Sequence, residues 1–537
     1  MKLLLVMPKQ ELNEEPDYHY MFPLGIAYIS SVLKVAGHEV TCLNMYHQKG
    51  SVEEIMENVL SKKTYDFICT GGTVLHYLAI EKILHIAKKN GVKTIIGGMI
   101  INGEPETIFK MLEPNYAVLW EGEETVVELL DHIEKNEPLD TVKGIMFRND
   151  GKLIITEKRK DITDLDSLPY PDLEGFEFEK LLDNTYSSSS FSYFNYPRLY
   201  SILGSRGCPF NCTFCYHYSK YRKRSIDDII NEMKFVIEEY KINTIEILDE
   251  CLAIDKQRLF ELCKRIKEVG DELNGQFAWI PQITVRDADD DILKAFKESR
   301  AIMVSYGFES FSPIVLKSMK KPITPEMISV AFEKTLKAGL AVQANFIFGD
   351  IAETKETSKE TMDWWKQNSK GQINLAFIQP YPGSEIYKIL MEKGRLGDKE
   401  TFIQNIRNHP LYNLTNEMTD KDIQKLRRDL VNLERKYRKT TSFKSIKETG
   451  EKIHSFDVKC PYCKKITHYE NFNFKDVNVK ASRWNYQTKL TCRNCFMGFN
   501  AISPLRGFIY KYFPLIVLMK TKDAIRYISK KVKNVYS

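Results

Sequence analysis

Three cysteines, Cys208, Cys212 and Cys215, carry the most specific chemistry in the chain. They lie in the run Gly204-Ser205-Arg206-Gly207-Cys208-Pro209-Phe210-Asn211-Cys212-Thr213-Phe214-Cys215-Tyr216. Thiolates ligate iron–sulfur clusters, and four of them close a four-iron cubane. Three at Cys-x3-Cys-x2-Cys spacing can therefore wrap one cluster and leave one iron open for a substrate or cofactor, which suits chemistry better than electron storage. Gly207 removes a Cβ and lets the backbone come close. A second set, Cys460-Pro461-Tyr462-Cys463 and Cys492-Arg493-Asn494-Cys495, forms two Cys-x2-Cys pairs separated by 28 residues. That spacing suits one tetrahedral four-thiolate zinc, with a second iron–sulfur cluster as the rival. Cys42, Cys69, Cys251 and Cys263 are scattered. Cysteines grouped at ligand spacings favour metal binding in a reducing cytosol over a disulfide framework, so a cytoplasmic location is expected.

The elements that must position these residues alternate between strand and helix. Lys2 to Met7 reads as a buried strand, Leu24 to Ala36 as a helix capped by Gly37, and Glu39 to Leu43 as a strand. A helix over Glu53 to Leu60, a strand over Phe67 to Thr70, a helix over His76 to Asn90 and a strand over Thr94 to Ile96 follow. This rhythm implies a parallel, doubly wound (Rossmann-like) α/β sheet, whose ligands bind beyond the carboxyl ends of the strands. Gly71-Gly72, with Thr73, and Gly97-Gly98 fall at such ends and would let a planar cofactor lie against backbone. Val142 to Lys152 reads as a hairpin around Asn149-Asp150-Gly151. A proline-set linker follows at Leu165 to Asp172, and Ser187 to Ser190 reads as a surface loop. Six further strands are expected at Leu199–Leu203, Thr244–Leu248, Phe277–Val285, Ile302–Tyr306, Val342–Phe348 and Asn374–Gln379, separated by helices such as Ile226–Tyr240 and Pro325–Ala338. Six such units make a partial (β/α)6 barrel with its site at the carboxyl ends of the strands.

The expected domains are 1–140 for the first sheet, 141–197 for hairpin and linker, and 198–420 for the barrel. A helical connector at 421–455, a small zinc-ribbon-like module at 456–502 and a basic aromatic tail at 503–537 complete the chain.

The wording from Arg206 to Cys215 resembles the cluster loop of the radical S-adenosylmethionine (SAM) superfamily. The resemblance implies a 4Fe-4S cluster whose open iron chelates the amino and carboxylate groups of SAM, and reductive cleavage of SAM to a 5′-deoxyadenosyl radical. It also implies SAM contacts at successive strand ends: Asp249 and Glu250, where relatives often show Gly-Gly-Glu; Arg286; Glu309; and Gly349, where relatives more often show Pro-Gly nearby. Phe214 is placed as relatives place an adenine contact. Carboxylates can accept charge-assisted hydrogen bonds from the SAM ammonium. Phe22-Pro23-Leu24-Gly25-Ile26-Ala27-Tyr28, Gly97-Gly98 and Trp120-Glu121-Gly122-Glu123-Glu124-Thr125 resemble the cobalamin-binding domain that precedes many radical SAM domains. Cobalamin contacts are then expected at Gly71, Gly72, Thr73, Gly97, Gly98, Glu121 and Gly122. No Asp-x-His-x-x-Gly follows the first strand, so a corrin would be held without a histidine ligand; a relic domain that binds none is the alternative.

No general acid or base can be named. Tyr216, His217, Tyr218 and Tyr306 are active-site candidates, though core or rim packing is the better reading of each. With 43% hydrophobic and 28% charged residues, the composition is that of a globular protein of about three domains. The apolar run Phe513 to Met519 is too short to span a bilayer. Ser503 to Ser537 holds eight Lys and Arg against one Asp, so the formal charge of +5 resides in the tail. That segment reads either as a membrane-surface contact or, favoured, as a helix covering the metal module.

The implied activity is cobalamin-dependent methyl transfer to an unactivated carbon or phosphorus centre of a small-molecule or natural-product substrate. Flavodoxin or ferredoxin is the expected electron donor. Cobalamin-assisted cyclisation or rearrangement is the runner-up. An RNA-modifying enzyme and a non-enzymatic cluster protein are weaker readings, and a nucleic-acid partner is not expected.

Overall fold

The computed structural model describes residues 1–10, 12–184, 194–216, 219–273, 275–407, 412–451, 453–473, 487–504 and 507–508. The Ser187–Ser190 loop, His217, Tyr218 and the tail beyond Phe508 lie outside the described residues.

The first sheet is built from β1 (Lys2–Met7), α1 (Leu24–Val35), β2 (Glu39–Asn44), α2 (Val52–Lys62), β3 (Phe67–Gly71), α3 (Tyr77–Lys89), β4 (Lys93–Gly97), α4 (Met99–Gly103), α5 (Pro105–Leu112), β5 (Tyr116–Val118) and α6 (Glu123–Lys135). The order is β2-β1-β3-β4-β5, all parallel. The apolar run Leu3 to Met7 is fully buried, as a parallel strand covered on both faces requires. The hairpin of β6 (Ile145–Asn149) and β7 (Lys152–Ile155) extends the same sheet antiparallel beyond β5. Its turn places Asp150 (φ 47°) and Gly151 (φ 78°) in the left-handed region, as a two-residue hairpin turn demands.

After α7 (Phe178–Asn184), the second α/β unit contains β8 (Leu199–Ile202), the short hairpin β9 (Ser205–Arg206) with β10 (Arg222–Lys223), α8 (Ile226–Tyr240), β11 (Thr244–Ile247), α9 (Lys256–Glu272), β12 (Ala278–Ile280), α10 (Asp290–Glu298), β13 (Met303–Glu309), α11 (Pro313–Ser318), α12 (Pro325–Lys337), β14 (Ala341–Phe348), α13 (Lys355–Asn368) and β15 (Ile373–Phe377). Parallel ladders join β8-β11-β12 and β13-β14-β15, and the parallel bridges Trp279–Ala301 and Gln282–Ser305 connect the two sets. The strand expected over Phe277–Val285 forms a continuous ladder only over Ala278–Ile280, with the single bridge at Gln282 beyond it. Pro281, which has no N–H to give a ladder, follows directly, and Arg286 falls in a 3-10 turn, Val285–Asp287. Glu309 is the last residue of β13 rather than a residue after it, and its φ is 57°.

α14 (Glu385–Glu392) and α15 (Lys399–Asn405) return to the first sheet. Ile386, Tyr387, Leu390, Phe402 and Ile403 share one apolar cluster with Leu4, Val6, Ile80, Ile83 and Phe109. A second cluster joins α1, the opposite face of β1 and the strands of the second unit, with α16 (Asp420–Tyr437) packed on it through Ile423, Leu426 and Leu430. The two α/β units thus share cores.

The chain continues with β16 (Thr440–Thr441), β17 (Phe443–Gly450), β18 (Ile453–Lys459), β19 (Ile466–Asn473), β20 (Gln487–Thr491) and β21 (Gly498–Ile502). One antiparallel sheet joins β17-β18-β19, and a second joins β16-β21-β20.

Candidate active site and metal centre

The hairpin β9–β10 carries the cysteine loop. At its start the Gly204 and Ser205 N–H groups donate to Asp249 Oδ1, at 2.6 and 2.9 Å. Asp249 is 2% exposed at the carboxyl end of β11. Burial pushes its carboxyl up, and the two amides only partly offset this. Gly207 (φ +82°) is obligatory, since a Cβ there would meet Lys220 O at 2.4 Å. Farther along, Thr213 N–H donates to Met319 O (3.1 Å), Ile386 N–H donates to Thr213 O (2.9 Å), and Cys215 N–H donates to Cys212 O (3.1 Å). The loop is therefore held at both ends and in the middle.

Lys321 is a cation facing this loop. It pairs with Glu309 Oε1 at 3.0 Å, and both side chains are largely buried. Burial opposes the ammonium charge, but Glu309 and the thiol groups of Cys212 and Cys215 outweigh it, and its pKa lies above the usual lysine value. Cys208 has a second cysteine against it: Cys251 Sγ lies 3.6 Å from its Sγ. This contact draws the Cys208 thiol down to about 7, against the effect of burial. Glu250 and Arg286 are solvent-exposed, and Phe214 is partly buried against the core that spans both units. Gly349 (φ +93°) donates its N–H to the Glu353 carboxyl, which burial pushes up to about 8. The structure thus gathers Asp249, Glu309 and the three cysteines at one end of the strands. Lys321 and Cys251, which no sequence spacing marks, join them there.

The carboxyl ends of β3, β4 and β5 face the same loop. Gly71 and Gly97 are ladder partners, and a Cβ at Gly71 would meet Gly97 O at 2.4 Å; one at Gly98 (φ +81°) would meet Gly72 N at 3.0 Å. These glycines press two turns of chain together, a use beyond the cofactor contact expected from the sequence. Asn102 ties the turns: its Nδ2 donates to Gly98 O (3.2 Å) and its Oδ1 accepts from Trp120 N–H (2.7 Å). The Asn102 carbonyl accepts from the Tyr216 hydroxyl at 2.8 Å, next to Cys215. Gly103 and Gly383 complete the junction, since a Cβ at Gly103 would meet Pro382 O at 2.6 Å and one at Gly383 would meet the Tyr216 ring at 2.8 Å. His76 is buried, its Nδ1 is held by Thr73 N–H at 3.1 Å, and burial lowers its pKa to about 4. Backbone turns, with the carboxamide of Asn102 bracing them, suit a corrin held by packing better than one ligated through histidine.

Glu121 and Gly122 do other work. Glu121 accepts from Arg206 (3.2 Å), from both terminal nitrogens of Arg222 (2.7 and 2.8 Å) and from Ile162 N–H (2.8 Å), while Arg206 also reaches Glu123 at 2.6 Å. Burial raises the Glu121 carboxyl, the arginines outweigh it, and the net pKa lies below the usual value. Its carboxylate is committed to the other α/β unit, so a direct cofactor contact is not what this geometry provides. Gly122 leaves room for Ile29 and Val118, at 3.1 and 3.3 Å from an added Cβ. Tyr306 is buried, with its hydroxyl 2.8 Å from Thr335 Oγ1, which is a core role.

The sulfurs of Cys460, Cys463, Cys492 and Cys495 lie within 4.8 Å of one another. The two halves repeat one geometry. Tyr462 N–H donates to Cys460 Sγ and Asn494 N–H to Cys492 Sγ, both at 3.4 Å. Lys464 and Phe496 follow their pairs with φ of 66° and 55°. Thiolate donors so arranged could hold a structural metal ion. The module sits away from the cysteine loop: Phe496 packs against the cluster of Ala278, Ile280, Ile302, Met303 and Ala341, which runs along β12 and the amino-terminal ends of β13 and β14. Gln372, just before β15, exchanges hydrogen bonds with Gly498 N–H (2.8 Å) and Gly498 O (3.0 Å). Among the described residues no helix is long and apolar enough to cross a membrane.

Comparison with known proteins agrees with this geometry. Residues 17–130 match the B12 binding domain, and residues 202–364 match the radical SAM superfamily. An uncharacterized methyltransferase, PH0819, from Pyrococcus horikoshii is 28% identical over 72% of this chain and 83% of its own length. An anaerobic magnesium-protoporphyrin IX monomethyl ester cyclase from Rubrivivax gelatinosus is 26% identical over 71% of this chain and 68% of its own. In fold, the chain is similar to the radical SAM methyltransferase TsrM from Kitasatospora setae, solved with cobalamin and a [4Fe-4S] cluster. The TM-score is 0.59 at 15% identity, covering 74% of this chain and 76% of that one.

Proposed function

We propose that this chain, a radical SAM superfamily enzyme carrying a B12-binding domain, transfers a methyl group from SAM to an unactivated carbon or phosphorus centre of a small molecule. The single observation behind this reading is the Tyr216–Asn102 contact. Through it the cysteine loop of one unit abuts the strand ends of the other, where the B12 domain would present a corrin. When bound, a 4Fe-4S cluster would supply the electron that cleaves SAM, and the corrin would supply the methyl carrier.

Cys208, Cys212 and Cys215 would hold the cluster. Asp249 fixes the loop that presents them, rather than receiving the SAM ammonium itself; its Oδ1 is taken by two amides. The exposed Glu250 carboxylate is the better candidate for that ammonium. Lys321, balanced by Glu309, would place one positive charge beside the anionic end of SAM and the thiolates. The turns at Gly71–Thr73, Gly97–Gly98 and Asn102 would cradle the corrin. The six parallel strands are read as a partial barrel, and the four-cysteine module as a zinc-ribbon-like base plate. An electron donor such as flavodoxin or ferredoxin and a small-molecule substrate are the partners this chemistry requires.

The cyclase relative supports ring closure as the second reading. SAM labelled in its methyl group, incubated with reduced, corrinoid-loaded enzyme and candidate substrates, separates the two. Methyl transfer gives S-adenosylhomocysteine and 5′-deoxyadenosine in equal amounts, with label in the product. Ring closure gives 5′-deoxyadenosine with unlabelled product.

A further inference from the structure

Cys251 lies two residues beyond Asp249 and takes no part in the chemistry above. Its side chain is 3% exposed, and its Sγ is 3.6 Å from that of Cys208. A disulfide requires about 2.05 Å, so the two sulfurs must close by about 1.5 Å. The backbone on both sides is fixed. Asp249 carries Cys251 on the end of β11, and the same carboxylate grips Gly204 and Ser205 at the base of the Cys208 loop. Gly207 lies so close to the other limb of the hairpin that a Cβ there would meet Lys220 O at 2.4 Å. Among the described residues, Cys208 is the loop cysteine with a thiol partner in contact.

We propose that Cys208 and Cys251 form a redox-modification site that closes when dioxygen destroys the cluster. The inference rests on the reading of Cys208 as a cluster ligand, because iron on its sulfur prevents the reaction. Once iron is gone, each thiol gives up its proton and the pair gives up two electrons. A Cys208–Cys251 bond forms, and dioxygen leaves as hydrogen peroxide. The oxidised loop cannot rebuild its cluster until a thiol reductant reopens the bond, so the enzyme is held cluster-free under oxidising conditions.

The test uses the full chain, reconstituted with iron and sulfide under dithiothreitol and assayed for iron. It is then exposed to air with a chelator, alkylated without reductant and digested with trypsin. The expected result is a cross-link between the Gly207–Lys220 and Ile242–Lys256 peptides, assigned to Cys208 and Cys251 by fragmentation. Fragmentation also separates it from disulfides of the four-cysteine module, where Cys460–Cys495 and Cys463–Cys492 lie at 3.8 and 3.7 Å. Cys251→Ser should lack the cross-link, and after air exposure it should regain iron several-fold faster than the parent chain without dithiothreitol. Cys208 and Cys251 both recovered alkylated, or Cys208 linked to Cys212 or Cys215, overturns the inference. A chain that takes up no iron even under dithiothreitol overturns the cluster reading itself, and the inference with it.

Discussion

At the scale of single residues, the site depends on buried groups whose partners are set by the fold. Glu353 is a clear case, 1% exposed with a carboxyl raised to about 8. In the unfolded chain it would titrate near the ordinary glutamate value of about 4.3. Between those values the native state binds more protons than the unfolded state, so stability falls as pH rises through that window and levels off above about 8. The slope contributed is up to about 1.4 kcal/mol per pH unit. Glu353→Gln should flatten that part of the profile in denaturant melts taken from pH 5 to 8.5; an unchanged slope would contradict the assignment. Tyr216→Phe removes the hydroxyl donated to Asn102 but leaves the cysteines in place. Iron content should match the parent, while labelled methyl transfer falls about tenfold or more relative to 5′-deoxyadenosine formed. Equal losses in both would point to simple damage to the cluster loop. The cysteine spacings, and Asp249 at a strand end, were legible in the sequence because ligand sets and strand ends are local. Lys321, Cys251 and the Asn102 hub were not, since their partners lie far away in sequence and are brought close only by packing.

At the scale of elements, local pattern served well where one signal dominated. The helix Ile226–Tyr240 was legible to the residue, capped by Ser225 on Asp228 N–H. The turn Asn149-Asp150-Gly151 announced a hairpin, but not that it would extend the first sheet beyond β5. The long apolar stretch 277–285 misled because periodicity does not show where a continuous ladder breaks; Pro281 marks that break. The basic role assigned to the four-cysteine module as a metal site acquires a position here. Its Phe496, in left-handed backbone, fills the amino-terminal rim of the parallel strands. Phe496→Ala should cost about 1–3 kcal/mol, the usual range for losing a partly buried aromatic contact, seen as a lowered denaturation midpoint. If the four thiols hold a metal ion, a chelator should produce a loss in the same direction without altering the iron content proposed for the Cys208 loop. A chelator-treated chain that melts at the original temperature would show that the four thiols hold no stabilising ion.

At the scale of the whole molecule, the two α/β units behave as one body because they share cores and a buried ionic seam. Arg206 and Arg222 converge on Glu121, with Arg206 also paired to Glu123 and stacked over Tyr28 at 5.6 Å. Glu121→Ala would leave two largely buried guanidinium groups short of a partner. Breaking a buried pair from one side costs about 3–5 kcal/mol, so limited proteolysis near the junction should accelerate markedly. Undiminished resistance would make the seam incidental. Such a seam was invisible in sequence, where Glu121 reads only as part of a cofactor-domain motif. On the proposed chemistry, rigidity at this junction would keep cluster, SAM, corrin and substrate in a fixed alignment.

Cofactor content tests the central claim most directly. The chain is to be produced anaerobically with cobalamin supplied and assayed for iron, sulfide, corrinoid and zinc in one sample. The proposed function predicts about four irons and matching sulfide, with corrinoid stoichiometric with the chain. A full cluster with no corrinoid, under conditions where cobalamin is abundant, would contradict methyl transfer through a corrin and leave a radical SAM enzyme with a repurposed sheet domain.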